Sequence, residues 1–276
     1  MKTFPLFAAG LWVAAVLAGC ARRDEDISED AAAAESLTEL TERAAEEVAE
    51  AAMPLPGGGG GPCAGNGAPF GTCATITDSG EGVYPRTVVV DFGTGCTGPN
   101  GITRSGVVTL VVTGDMLADE GATWTATFAD FAVGNRTVNG TKTRTFTGLN
   151  ASGQPTFGFT SDLSIARNGV TYSREAEGTA VWLAGYDTEE CFDNVVRRDG
   201  TATVTGPQGG TRTRTFTAVV HDQPCGYPVS GTTHIERPGP DVHIDYGDGT
   251  CDNLATVTRG NQTFLLNLDT HELTPQ

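Results

Sequence analysis

From Val83 onward the chain alternates β-branched or aromatic residues with small polar ones in short runs, and no stretch keeps the spacing of an amphipathic helix. Such alternation belongs to strands with one buried and one wet face. Runs of this kind cover 88–92, 107–113, 123–133, 143–147, 156–166 and 170–183. Others occupy 201–205, 211–220, 230–237, 242–246 and 261–268. Turn formers stand between them: Asn100-Gly101, Asn139-Gly140, Asn168-Gly169, Gly206 to Gly210 and Pro238-Gly239-Pro240. Evenly spaced strands with tight turns predict an all-β domain, an antiparallel β-sandwich or barrel-like sheet.

The start of the chain has another character. Lys2 precedes an apolar run ending at Ala18, too short for a stable membrane span and suited to a signal peptide over 1–19. Leu17-Ala18-Gly19-Cys20 resembles the lipobox of bacterial lipoproteins, which implies cleavage before Cys20 and acylation there. Several acyl chains hold a protein on a membrane where one does so only marginally. Residue 22 is Arg, and acids follow at Asp24, Glu25 and Asp26, so an outer-membrane address is expected, with surface export as its extension. Residues 20–62 read as a tether. Ser36-Leu37-Thr38-Glu39 fits a capping box ahead of an Ala- and Glu-rich, partly helical stretch, and Gly57 to Gly61 form a hinge. The β domain is expected over 63–276.

Seven cysteines less Cys20 leave six, and outside the cytoplasm an even set argues for disulfides. No Cys-x-x-Cys spacing supports a zinc or redox pair. If Arg237 faces Asp241 across the Pro238 hairpin, Tyr227 comes opposite Cys251 and Cys225 lies one diagonal step away. A Cys225–Cys251 bond is therefore expected. Of the three pairings open to the other four, Cys63–Cys73 with Cys96–Cys191 is the expected one. The Asn168-Gly169 pair suits a two-residue type I′ turn. It sets Arg167 opposite Val170, Ile165 opposite Tyr172 and Leu163 opposite Arg174. Asp162 then faces Glu175, and Thr160 faces Glu177, an acidic strip that wants solvent or a cation.

Two pairs of segments repeat. Val88-Val89-Val90-Asp91-Phe92-Gly93-Thr94-Gly95-Cys96 is echoed by Val242 to Cys251, and Gly140-Thr141-Lys142-Thr143-Arg144-Thr145-Phe146-Thr147 by Gly210 to Thr217. Their order, A-B-B′-A′, predicts two related halves of one sheet system. Residues 91–106 together with Ile244-Asp245-Tyr246-Gly247-Asp248-Gly249-Thr250-Cys251-Asp252-Asn253 resemble a family of uncharacterised Bacteroidetes lipoproteins. That resemblance implies a fold and an address and carries no activity.

Chemistry is sparse. The formal net charge is −17, which argues against nucleic acid as a partner. No Gly-x-Ser-x-Gly elbow or His-Glu-x-x-His motif occurs, so no catalytic residue is named and no cofactor is required. Asp245, Asp248 and Asp252, with Gly247 and Gly249, form the best cation candidate, calcium, although the glycines also suit a disulfide-bearing turn. His234 and His243 are brought near each other by the Pro238 hairpin. The expected function is an envelope binding or structural module, anchored to the membrane by its lipid and contacting a glycan or envelope protein. Trp124, Trp182, Tyr172 and Tyr186 are its candidate contacts. A calcium-dependent adhesion module and a hydrolase with an unrecognised carboxylate pair are the alternatives.

Overall fold

The computed structural model describes residues 73–80, 83–98, 101–188, 193–225, 227–268, 270 and 272–276. The signal peptide, Cys20, the tether, Cys63, Cys191 and His271 lie outside them. The strands are β1 (Thr75–Asp78), β2 (Arg86–Asp91), β3 (Cys96–Thr97), β4 (Thr103–Val112) and β5 (Thr123–Val133). Next come β6 (Arg136–Leu149), β7 (Pro155–Arg167), β8 (Val170–Ala184), β9 (Val195–Thr205) and β10 (Thr211–Asp222). The last are β11 (Pro228–Glu236), β12 (Val242–Asp248), β13 (Leu254–Arg259), β14 (Gln262–Asn267) and β15 (Leu273–Pro275). All fifteen join one antiparallel sheet whose strand order is the chain order, with β2 and β3 end to end along β4. The expected antiparallel all-β fold is thus realised as a single sheet that does not close, with β1 and β15 at its edges.

Short turns produce this meander. Two residues join β5 to β6, β7 to β8 and β13 to β14, leaving each strand only its sequence neighbour to pair with. At Asn168 and Gly169 φ is 52° and 78°, as a type I′ turn requires. The β7–β8 register matches the sequence expectation from Arg167↔Val170 to Thr160↔Glu177. The four strands the sequence pattern missed, β1, β3, β13 and β15, have at most six residues each, too few for alternation to stand out.

One face, here called inner, is buried. Val88, Val90, Val108, Leu110, Trp124, Ala126, Phe128, Phe146, Phe157, Leu163 and Ile165 line it. Two bulges keep that face apolar. In β5 an extra residue, Asp130, turns to φ 49° so that Phe128 and Phe131 both point inward. In β10 Ala218, at φ 50°, does the same between Phe216 and Val219. Each freed amide meets a neighbouring side chain: Asp130 N donates to Asn139 Oδ1 at 2.8 Å, and Ala218 N to Asp199 Oδ1 at 2.8 Å. Glycine faces each bulge, because a Cβ on Gly106 or Gly231 would sit 2.3 Å from the bulged carbonyl oxygen.

Repeat B explains itself in the same terms. Lys142, Arg144 and Phe146 on β6, like Arg212, Arg214 and Phe216 on β10, fall on the inner side, with the intervening threonines outside. In repeat A the aspartate accepts the amide two residues on, Gly93 N to Asp91 Oδ1 at 2.8 Å and Gly247 N to Asp245 Oδ1 at 2.9 Å. The aromatic between them, Phe92 or Tyr246, turns inward and is buried.

The disulfides follow the repeats. Cys225 is bonded to Cys251, with Cα atoms 5.5 Å apart. The hairpin reaches this by a different path from the one expected: Ile235 pairs with Val242, so Arg237 does not face Asp241, and a bulge between Thr232 and Ser230 restores the register beyond it. Cys73 is bonded to Cys96, which overturns both Cys63–Cys73 and Cys96–Cys191. The reason is local: β1 starts opposite Asp91 at the end of β2, and β3 continues the line of β2 along β4, which leaves Cys96 beside the residue that leads into β1. Each bond closes a loop of 23 or 26 residues, which stabilises by about 3 kcal/mol on a chain-entropy estimate.

The bulges yield a paired prediction. Gly231→Ala should cost roughly 2–4 kcal/mol, since strain and a backbone clash coincide. Ala218→Gly should gain about 1 kcal/mol by relieving a left-handed alanine. Urea midpoints of the two variants against the unaltered chain check both signs.

Candidate functional site

Charge is sorted between the two faces of the sheet. Every strand-borne Lys or Arg except Arg197 takes an inner-facing position by strand parity. Arg86, Arg104, Lys142, Arg144 and Arg174 are buried there, while Arg136, Arg167, Arg198, Arg212, Arg214 and Arg259 are half-buried. Asp162, Glu175, Glu177, Asp199, Glu236 and Asp245 all face outward. The net charge of −17 is thus distributed unevenly, with strand-borne cations on the inner side and these acids on the outer.

Inner cations are woven among aromatics. The Arg144 guanidinium lies 5.5 Å from the Trp124 ring centre and 5.6 Å from that of Phe157. Arg174 donates to Ser161 Oγ at 2.8 Å, and Arg214 to the Tyr246 hydroxyl at 3.2 Å. Phe159 on β7 and Phe216 on β10 stack at 6.2 Å over the intervening strands. Gly178 and Gly200 make room for them, since added Cβ atoms would come 2.7 Å from Phe159 and 3.0 Å from Phe216.

On the outer face the same registers build a cross-strand row, Thr125–Thr143–Thr160–Glu177–Thr201–Thr215–His234–His243–Thr258–Thr263. A depression of about 530 Å³ opens in it, lined by Thr143, Thr145, Gly158, Thr160, Glu177, Thr179 and Thr201 among others. The acidic strip expected from the sequence is here, exposed to solvent. His234 and His243 are directly paired and stack with ring centres 4.2 Å apart, and Asp241 lies 3.3 Å from His234. In parallel rings the in-plane nitrogen lone pairs do not converge on one ion.

Asp245, Asp248 and Asp252 surround one recess of about 250 Å³. Each carboxylate already serves a turn: Asp245 for Gly247 N, Asp248 for the Thr250 amide and hydroxyl, Asp252 for Leu254 N. The Thr250 hydroxyl and amide hold the Asp248 carboxyl below its ordinary pKa. Among the described residues no group of three or more His, Cys, Asp or Glu is arranged to hold a metal ion. Of the expected aromatic contacts, Trp124 is core at 1 % exposure. Trp182 packs on Phe157 and Tyr186 and donates to Asn194 Oδ1 at 3.0 Å.

At the β1 edge Arg86 clamps Asp78 through its guanidinium, with Nε 2.9 Å from Oδ1. That hydrogen bond holds the Asp78 carboxyl below 3.8. No family model, curated protein or solved structure matches this chain.

Two outcomes follow. Asp248→Ala should lower the melting temperature equally in calcium and in chelator, because its carboxylate works on a turn; a loss confined to calcium would reassign it as a ligand. Asp78 stabilises the fold above its unfolded pKa, and this contribution fades as pH falls through the depressed value. Asp78→Asn should therefore remove part of the acid limb of stability, read from urea midpoints between about pH 5 and about pH 2.

Proposed function

We propose that this chain is a lipid-anchored protein of the outer membrane whose sheet is a binding module for an anionic envelope glycan. The address comes from Leu17-Ala18-Gly19-Cys20, and disulfide bonding fits a compartment outside the cytoplasm. The observation that carries the binding reading is the sorting of charge: cations and aromatics share the inner face, while threonines and acids take the other. A spacer needs no such sidedness. Arginine beside aromatic surface is the chemistry that takes up carboxylate- or sulfate-bearing sugars, through charge-assisted hydrogen bonds and ring stacking.

The test uses the full chain expressed in a Gram-negative host. It should incorporate labelled palmitate and sediment with membranes, and Cys20→Ser should abolish both. Solubilised protein should be retained on an alginate resin at low salt and released as salt rises, with Arg212→Gln/Arg214→Gln releasing earlier. Flow-through of the unaltered protein at low salt would refute the glycan reading and leave the address standing.

A further inference from the structure

Arg136 and Arg167 stand directly opposite each other on β6 and β7, on the inner face. Each adjoins a two-residue turn, so their backbone positions are fixed at one end of the sheet. Arg136 is also paired with Val133, and Arg167 with Val170. Val138 and Ile165, two residues further along the two strands, are buried at 1 % and 2 % exposure. Both arginines are half-buried, and the Nε of each is buried with no hydrogen-bond partner. Among the described residues no carboxylate pairs with either.

Like charges directly opposed across a strand pair are destabilising, and an apolar wall beneath them makes the repulsion worse. Burial, followed by the neighbouring Arg167 charge, pushes the Arg136 guanidinium below its ordinary pKa. Two guanidinium forks side by side have several donors and no acceptor between them. A tetrahedral or planar oxyanion supplies what is missing, accepting from both forks and cancelling their repulsion.

We propose that Arg136 and Arg167 form an oxyanion-binding site, taking a phosphate or sulfate group of a ligand at this end of the inner face. The site deepens the anionic-glycan reading and rests on it for its biological meaning, while its chemistry is testable alone. Both phosphate esters and sulfate esters carry the group it recognises, as do anionic phospholipid headgroups.

The experiment measures melting of the full chain in inorganic phosphate or sulfate against chloride at matched ionic strength. The oxyanions should raise the melting temperature in proportion to the logarithm of concentration once saturating. Arg136→Gln and Arg167→Gln should each weaken the half-saturating concentration at least tenfold. Arg136→Lys, which keeps charge without the fork, should fall between the unaltered chain and Arg136→Gln. Arg197→Gln, on the outer face, should leave the response intact. Vesicles of phosphatidylglycerol against phosphatidylcholine, offered to the unlipidated Cys20→Ser chain, then separate the sources: capture lost on adding Arg136→Gln assigns a lipid phosphate, and no capture assigns a free or glycan-borne one. Equal stabilisation of the unaltered chain and both Gln variants overturns the site. So does a Gln variant that melts higher in every salt with no oxyanion dependence, which would mark the pair as tolerated repulsion only. Alginate retention that survives in Arg136→Gln/Arg167→Gln while the oxyanion response disappears leaves both proposals standing. Loss of retention in the unaltered chain, with the oxyanion response intact, removes the glycan reading alone.

Discussion

The inner face of this meander holds together where large side chains from different strands meet one another. Phe159 and Phe216 meet above two glycines, Phe92 reaches Phe131 across β4, and Arg144 spreads over Trp124 and Phe157. Arginine suits such a surface because its stem covers apolar area while its head finds acceptors along the sheet. The bulges serve the same contacts. Without Asp130 and Ala218, half of β5 and β10 would turn their large residues outward.

How much of this is legible beforehand depends on the length of the signal. Long alternating runs such as Thr123–Val133 declare themselves, and the Asn168-Gly169 turn fixes the register of twelve residue pairs. Short edge strands carry too few residues to do so. Bulges are invisible to a period-of-two reading, since the pattern simply skips a beat; the Pro238 hairpin shows how such a skip restores a register that its turn had displaced. The Cys73–Cys96 bond was within reach of the sequence. Cys251 in the second repeat pairs with a cysteine 26 residues earlier, and Cys96 in the first has one 23 residues earlier, so treating the repeats as structural equivalents gives both bonds.

The net charge of −17 says nothing about sidedness, whereas parity along each strand does. Thr-Lys-Thr-Arg-Thr-Phe at 141–146 contains the sorting in miniature, with every second residue cationic or aromatic. Asp245, Asp248 and Asp252 make a cation candidate in sequence, yet each carboxylate is committed to a backbone amide, a local use that a list of acids does not reveal.

A meander has no intrinsic reason to stop, since each added hairpin offers the next strand the same exposed amides. This one ends in β1, four residues long, and β15, three residues long and closing on Pro275. A proline has no amide to donate, and so short a rim gives an incoming strand little to hold. The bond from Cys73 to Cys96 also fastens the approach to β1 to β3, which continues the line of β2, and so hinders that edge from peeling away. Short, partly proline-blocked rims of this kind hinder copies of the sheet from joining edge to edge.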